Sequence, residues 1–472
     1  MWDCAKKFLI GFCSESSIHG VKYLVKDKNT VSRCYWCLML MLSVYCCAQF
    51  TLMLSSRFLD IPIRMTIKNK QALTEELLLP AITFCTEIPS TNEWYEKFLD
   101  NITLPHGYSR DSVLDAMRYA ISDMSPRFQM YPKQLNTTLL TMVDHVLQFN
   151  NIQPRDFMSQ VSVPCDVLLS RCQLRGQVLP CGDIFTRVRG QCCRFIDNDE
   201  DFRSSGQVSG NNLKVVTTFD HGFAYFMVHK ADSEPMIDQS FYLMGNGYYV
   251  MFYIDPTQIL KSEEVHEIEE ENGECVHPDE LSLRYFEEYN FFNCAAELAI
   301  NTSLALCDCV PTYYPVPDEI TCNFTNMNCI QKYNVINKRI FSHSRAGTEK
   351  YILDPAKRKG INIWEKCLES CEYMSYKFSF KPRDLFPFYE YSGFLNDMDI
   401  KNEYVIQFNY ESQFYTVQEF VLICDWITLL SNLGGVFGLF LGYSMITLAE
   451  IIFYLWRSIE VSCETQTVQR LH

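Results

Sequence analysis

The chain has 472 residues, a formal net charge of -16 and 22 cysteines. Such acidity argues against a nucleic-acid partner, and so many cysteines favour an oxidising compartment. A mean hydropathy of -0.08 makes most of the chain water-facing, with membrane spans a minority.

Residues 1–33 are charged and mixed, with no apolar core that would mark a cleavable signal peptide. Lys6, Lys7, Lys22, Lys26, Lys28 and Arg33 outnumber Asp3, Glu15 and Asp27 there. A positive bias beside a membrane span places this tail in the cytosol. Cys4 and Cys13 then read as cytosolic thiols, open to palmitoylation. His19-Gly20, in SSIHGVKYL, reads on its own as a turn. Residues 34–54 carry no charge and lie between Arg33 and Arg57, as a first transmembrane helix would. Gln49, its one strongly polar side chain, is expected to face the protein interior.

Residues 55–423 read as one large extracellular segment. All four Asn-x-Ser/Thr sequons fall in it, at Asn101, Asn136, Asn301 and Asn323, as do fourteen cysteines, an even number. Between 91 and 150, apolar residues recur at helical spacing in NEWYEKFLDNI, DSVLDAMRYAISDM and QLNTTLLTMVDHVLQF. Cys165 to Cys193 is dense in cysteine and basic residues. An extracellular position and the lack of Cys-x2-Cys pairs favour disulfides over zinc there. Residues 213–256 and 401–420 alternate as strands and are rich in aromatic and β-branched residues. The acidic run SEEVHEIEEENGE reads as a solvated loop. A second cysteine cluster, Cys275 to Cys371, opens on a helical stretch from Asp279 to Leu306. Because the N-terminal tail is basic, most of the negative charge falls on the ectodomain. Over a pore it would concentrate cations.

Residues 424–456 form a second span, with Asp425 and Glu450 near its ends, followed by a short cytosolic tail, 457–472. This span holds Gly434, Gly435, Gly438 and Gly442, with Ser431, Asn432, Ser444 and Thr447 among them. A lipid anchor would be richer in Leu, Ile and Val. Small residues serve close helix packing, and small hydroxylic ones also suit the lining of a watery path.

The order LLSNLGG, GLFLGYS, LAE in this span resembles the degenerin/epithelial sodium channel family. So do the His19-Gly20 pair and LLPAITFC at Leu78–Cys85, with Leu79 where the family has Phe. SSIHG and the Cys-Cys-x-Phe run at Cys192–Phe195 are most like its insect pickpocket branch. The resemblance implies an α+β membrane protein. Two transmembrane helices flank a disulfide-rich extracellular domain of finger, palm and thumb, with a β-sheet core and peripheral helices. It implies a homo- or heterotrimer in the plasma membrane with both termini cytosolic. Function is then a sodium-preferring, amiloride-sensitive cation pore, with sodium ions and membrane lipid as partners, no cofactor and no enzyme activity.

Residue roles follow from the same resemblance. Gly442-Tyr443-Ser444 is the selectivity filter, Ser431, Asn432 and Gly435 belong to the gate, and His19-Gly20 influences opening. The disulfides implied are Cys85–Cys193, Cys172–Cys181, Cys275–Cys371, Cys294–Cys367, Cys307–Cys329 and Cys309–Cys322, leaving Cys165–Cys192 as the remaining pair. Tyr443 stands where vertebrate members have a small residue, which bears on sodium preference. Asn432 replaces an Asp of acid-sensing members, so proton gating is not implied. One Cys is missing beside Cys294 and one beside Cys367, a paired loss that leaves no orphan thiol. Three rival readings share some of these features. A non-conducting, two-span scavenger-receptor-type binding protein has the same topology but no need of Gly442 or Ser444. An ATP-gated channel wants Lys clusters near the spans. An ectoenzyme wants a Gly-x-Ser-x-Gly or a metal-ligand spacing. Neither of the last two signatures stands out.

Overall fold

A computed structural model of the chain describes residues 10–59, 63–86, 90–124, 135–188, 192–197, 212–218, 224–235, 241–242, 247–272, 275–276, 281–332, 357–360, 367–385, 393–396, 398–399, 401–423, 425–454 and 456. Cys4, Lys6, Lys7 and the tail 457–472 lie outside them. Contacts divide the chain into two units: Met1–Thr66, Ser262–Val265 and Phe420–His472, and Ile67–Lys261 with His266–Glu419.

In the larger unit the alternating stretches become strands, because every second side chain finds an apolar partner. Strand β1 is Ile63–Leu73, β2 Ala81–Thr86, β3 Leu169–Leu174, β4 Gln177–Leu179, β5 Phe185–Val188 and β6 Cys192–Phe195. Then follow β7 Asn212–Thr218, β8 Ala224–His229, β9 Phe241–Tyr242, β10 Tyr248–Lys261, β11 Cys275–Val276 and β12 Glu369–Ser370. The last are β13 Tyr373–Asp384, β14 Glu403–Tyr410 and β15 Phe414–Leu422. An 8-stranded sheet runs β1-β15-β10-β14-β7-β3-β4, with β13 on β10, and a 5-stranded sheet runs β5-β6-β2-β8-β9. β10 pairs β14 in parallel and β13 antiparallel.

The core lies between these two sheets. Phe84 and Phe226 of the smaller sheet meet Phe252 and Phe408 of the larger one. Phe226 stands edge-on to Phe252 at 5.1 Å and to Phe408 at 5.2 Å between ring centroids. Pairs of this geometry each add about 0.5–1.5 kcal/mol beyond the area they bury. A buried ion pair closes the edge of this core. Arg175 donates to Asp197 at 2.5 Å, and the same carboxylate accepts the Leu79 N–H at 3.1 Å.

The helical periodicity over 91–150 gives Asn92–Asp100, Arg110–Met124 and Thr137–Phe149, followed by Pro154–Val161. Their apolar faces pack a second core around Phe98, Met117, Val143 and Phe157. The thumb-like stretch begins later than the sequence indicates, at Phe291, and runs to Cys307. Asn290 caps it by accepting the Asn293 N–H at 2.9 Å, which fixes the start. The acidic run is corrected as well. Glu263–Asn272 is a helix, two glutamates standing in its first turn, where the helix dipole favours negative charge.

Seven disulfides tie the larger unit together. Cys172–Cys181, Cys275–Cys371, Cys294–Cys367, Cys307–Cys329 and Cys309–Cys322 pair as the resemblance implies. Cys85–Cys193 and Cys165–Cys192 do not form; the bonds are Cys85–Cys192 and Cys165–Cys193. Strand pairing explains the exchange. Neighbours on a strand point to opposite faces, and in the β2–β6 register Cys85 lies opposite Cys192 while Cys193 lies opposite Phe84. Cys193 therefore points into the main core beside Cys165.

The sequons divide too. Asn136 is exposed at a helix N-cap, its side chain accepting the Thr138 N–H at 3.2 Å. Asn101 and Asn323 are exposed. Asn301 is only 8% exposed within the Phe291–Cys307 helix. A glycan there would have to displace packed neighbours, unlike one at the three exposed sequons.

Candidate functional site

The first uncharged run lies within a helix longer than the run itself, Thr30–Leu59. Its apolar window has a mean hydropathy of 1.9 and is 6% buried, long and apolar enough to cross a membrane. Gln49, expected inward, is exposed within the chain. Just before this helix the Asp27 carboxyl is held below the usual carboxylate range, first by the Ser32 hydroxyl and then by the Asn29 N–H.

The second apolar stretch is not one helix. Trp426–Leu441 ends at Gly442, and Met445–Tyr454 resumes at an angle of 68°. Asp425 caps the start, accepting the Thr428 N–H at 2.8 Å. Gly442 ends the first half because its φ of +70° is left-handed, a region costly for any residue with a Cβ. Its N–H closes back on the Gly438 carbonyl at 3.0 Å, and the Tyr443 N–H on the Phe437 carbonyl at 3.3 Å, the pattern of a helix C-cap. Ser444 opens the second half. Its hydroxyl accepts the Thr447 N–H at 3.2 Å, an N-cap bond. The Gly442-Tyr443-Ser444 triplet is thus the whole of the break. Among the described residues, no hydrogen bond reaches the Tyr443 carbonyl.

The N-terminal segment and the break are brought together. The His19 N–H donates to the Leu441 carbonyl at 3.1 Å. The His19 ring lies so close to Gly442 that a Cβ there would meet ring atoms at 2.7 Å. Gly20, with φ +81°, turns the chain back toward the first membrane helix, against Trp36 and Leu40. The His-Gly pair therefore does two jobs: the ring fills the space a bare Gly442 leaves, and the glycine supplies the turn.

Thr447 was named from the sequence only among the small polar residues of its span, and Ser17 not at all. Thr447 is fully buried. Its hydroxyl meets Ser444 Oγ at 3.2 Å, Ser17 Oγ at 2.8 Å and the Gly442 carbonyl at 3.5 Å. Ser17 also gives its hydroxyl to Glu450 at 3.0 Å and its N–H at 3.3 Å. Tyr454 donates to Glu15 and stands edge-on to Phe12 at 5.5 Å. A separation of 430 residues between Ser17 and Thr447 hides this contact from any local pattern.

Ser431, Asn432 and Gly435 stand together on the helix before the break, exposed within the chain, and no atom lies within 4 Å of where a Cβ on Gly434 or Gly435 would be. The structure does not join them to the His19–Gly442 contact. Phe440 of this helix stacks on Phe50 of the first membrane helix at 5.6 Å. One metal-like grouping occurs among the described residues: His266 with Cys275 and Cys371, ligand atoms within 4.8 Å. The two sulfurs are bonded to each other, so they offer no thiolate.

Comparison with known proteins agrees with this arrangement. The family model described as "Amiloride-sensitive sodium channel" matches residues 12–454. The "Sodium channel protein Nach" of Drosophila melanogaster is 23% identical over 98% of this chain and 90% of its own length. "Pickpocket protein 28" of the same organism is 21% identical over 99% of this chain and 81% of its own. The "Bile acid-sensitive ion channel" of Rattus norvegicus is 24% identical over 96% of this chain and 88% of its own. A family match over residues 12–454 leaves one reading: the chain belongs to the amiloride-sensitive sodium channel family and is an ion-channel subunit, not an enzyme.

Proposed function

We propose that this chain is one of three subunits surrounding a sodium-preferring, amiloride-blocked cation pore in the plasma membrane, with both termini cytosolic. The observation that carries the reading is the helix break at Gly442. It turns backbone carbonyls out of the helical ladder at a position where the chain is apolar on both sides. Carbonyl oxygens and the Ser444 hydroxyl can replace part of a cation's water shell. Ser431, Asn432 and Gly435 suit a gate because small side chains let neighbouring copies approach closely when closed. The excess of basic residues before the first span supports the cytosolic tails.

The test is current from cells expressing this chain alone or with a related subunit, with and without amiloride, for the wild type and Ser444→Cys. An amiloride-blocked sodium current whose sodium-to-potassium permeability ratio changes in Ser444→Cys supports the reading. An unchanged ratio at normal current moves the filter elsewhere. No current in any combination, with the protein at the surface, favours a non-conducting role.

A further inference from the structure

The outer face of the 8-stranded sheet is basic, although the chain as a whole is acidic. Side chains along a strand alternate between its two faces. Leu213, Val215, Phe252, Ile406 and Phe408 point into the main core, so Lys214, Met251 and Gln407 between them point away from it. The strand registers set Gln173, Lys214, Gln407, Met251 and Lys381 opposite one another, one row across β3, β7, β14, β10 and β13. The next row holds Asn212, Asn409, Tyr253 and Ser379. On β13, Arg383 lies one row to one side of Lys381, and Lys377 two rows to the other. Asp255, opposite Lys377, is the one carboxylate among the paired positions of these four rows.

The two lysines at the ends of the central row lie beside rings rather than carboxylates. Lys214 stands 5.7 Å over the Phe394 ring and Lys381 4.8 Å over the Tyr253 ring. Neither forms an ion pair among the described residues. Lys214 is half-buried, and burial lowers its pKa with no carboxylate to offset it. An anion beside it would favour the charged form.

Between the lysines lie neutral donors. The Tyr249 hydroxyl donates to Gln407 Oε1, and the Gln407 amide nitrogen donates to Asn409 Oδ1 at 2.8 Å. This chain of donors ends on the Asn409 amide nitrogen, which has no acceptor among the described residues. From Lys214 to Lys381 the row crosses three strand spacings, about 14 Å. Cations at both ends with amides between them suit an extended chain that carries anionic groups at intervals and hydroxyls in between. A small anion would meet one end only. Because the side chains stand on a paired sheet, they need little reordering when such a chain is laid across them.

We propose that this sheet face binds a linear sulfated glycan, its sulfates on Lys214 and Lys381 and its hydroxyls on the amides between them. The proposal rests on the reading that the larger unit is extracellular, but binding is measured directly and needs no current. The full chain in detergent is titrated with heparin, with chemically desulfated heparin and with neutral dextran. Heparin should bind, and its affinity should fall steeply as salt is added, because each cation engaged releases a counterion from the polyanion. Desulfated heparin and dextran should not bind. Lys214→Gln with Lys381→Gln should weaken heparin at least tenfold and flatten the salt dependence. Lys381→Gln with Arg383→Gln changes exposed side chains alone and should weaken it several-fold without disturbing the fold. Lys97→Gln with Arg110→Gln removes the same charge from exposed positions elsewhere and should leave the affinity unchanged. Equal losses in the face variants and in this control overturn the proposal, because net charge alone would then govern binding. Desulfated heparin bound as tightly as heparin overturns it as well. So does absence of heparin binding to the assembled wild type, which would leave this face to a neighbouring subunit.

Discussion

The two units bury themselves in different ways. In the larger one, β10 and β14 place Phe252 and Phe408 in a closed aromatic knot, and Val405, Ile406 and Phe408 are fully buried by the chain's own residues. In the smaller one, the first membrane helix is 6% buried over its apolar window, and Leu439 of the second span is 76% exposed. The apolar surface of the larger unit is satisfied within one chain. That of the smaller unit is left uncovered by the chain itself. Its order comes from polar ties instead: the Ser17–Thr447–Ser444 hydroxyls and the His19–Leu441 bond. A break in a membrane helix needs such ties, because backbone groups freed there find no water in the hydrocarbon.

The largest effect should come from opening the aromatic core. Phe408→Ala removes a fully buried ring and is expected to cost about 3–5 kcal/mol. Surface delivery should collapse and the detergent melting transition should fall. Leu439→Ala, by contrast, should leave both near the wild type, since it removes nothing packed within the chain. Surface biotinylation beside a melting curve checks both; equal losses from the two substitutions would erase the contrast between the units.

The disulfides sharpen the same contrast next. The Cys85–Cys192 bond closes a separation of 107 residues and Cys172–Cys181 one of 9. By loop closure, losing the long one should cost more, within a range of about 2–5 kcal/mol. Cys85→Ser with Cys192→Ser removes one bond cleanly. Cys85→Ser with Cys193→Ser breaks two and should depress the melting temperature further. The reverse order would restore the Cys85–Cys193 pairing.

Much of this was legible in the sequence, for reasons that differ by region. The finger-like helices announced themselves because apolar residues recur every three or four positions, as at Val113, Met117 and Ala120. β10 and β14 were legible by alternation. The adjacent Cys192 and Cys193 were assigned the wrong way round, because choosing between them needs the register of β2 on β6, a non-local quantity. The acidic helix at Glu263–Asn272 was hidden by a composition that also suits a loop. β13 passed unnamed although YMSYKFSF alternates, because Lys and Ser obscured its apolar face. Around the helix break, Gly442 and Ser444 stood out through their order, but the partners that hold them in place, Ser17 and Thr447, are ordinary residues with no motif of their own.

A third effect concerns the break itself. Gly442→Ala places a Cβ at a left-handed φ, costing about 1–2 kcal/mol, and drives it into the His19 ring. The channel should reach the surface with current reduced or its permeability ratio altered. Adding His19→Ala removes the clash and leaves only the backbone strain, so the double variant should recover part of the current. A double variant no better than Gly442→Ala, in paired whole-cell recordings at matched surface level, would separate the His-Gly segment from the break.

The smallest effect should come from Ser17. Its hydroxyl ties Thr447 and Glu450 together, but its backbone N–H also reaches Glu450, and that bond survives Ser17→Ala. Thr447 keeps Ser444 as a partner. The loss is therefore one exposed hydroxyl bond in a network that remains mostly satisfied, about 0.5–1.5 kcal/mol for a typical hydrogen bond. Such a loss does not unfold a chain whose larger unit is closed by its own core, so surface delivery should match the wild type. It does loosen the segment that carries His19 against Gly442, so a shift should appear in open probability and in the permeability ratio. Ser17→Thr keeps the hydroxyl and should restore both, which a purely steric role for the position would not do. Single-channel recording of the three proteins decides the matter: Ser17→Ala identical to the wild type in both quantities would mean that the break is held by His19 and Thr447 without the N-terminal hydroxyl.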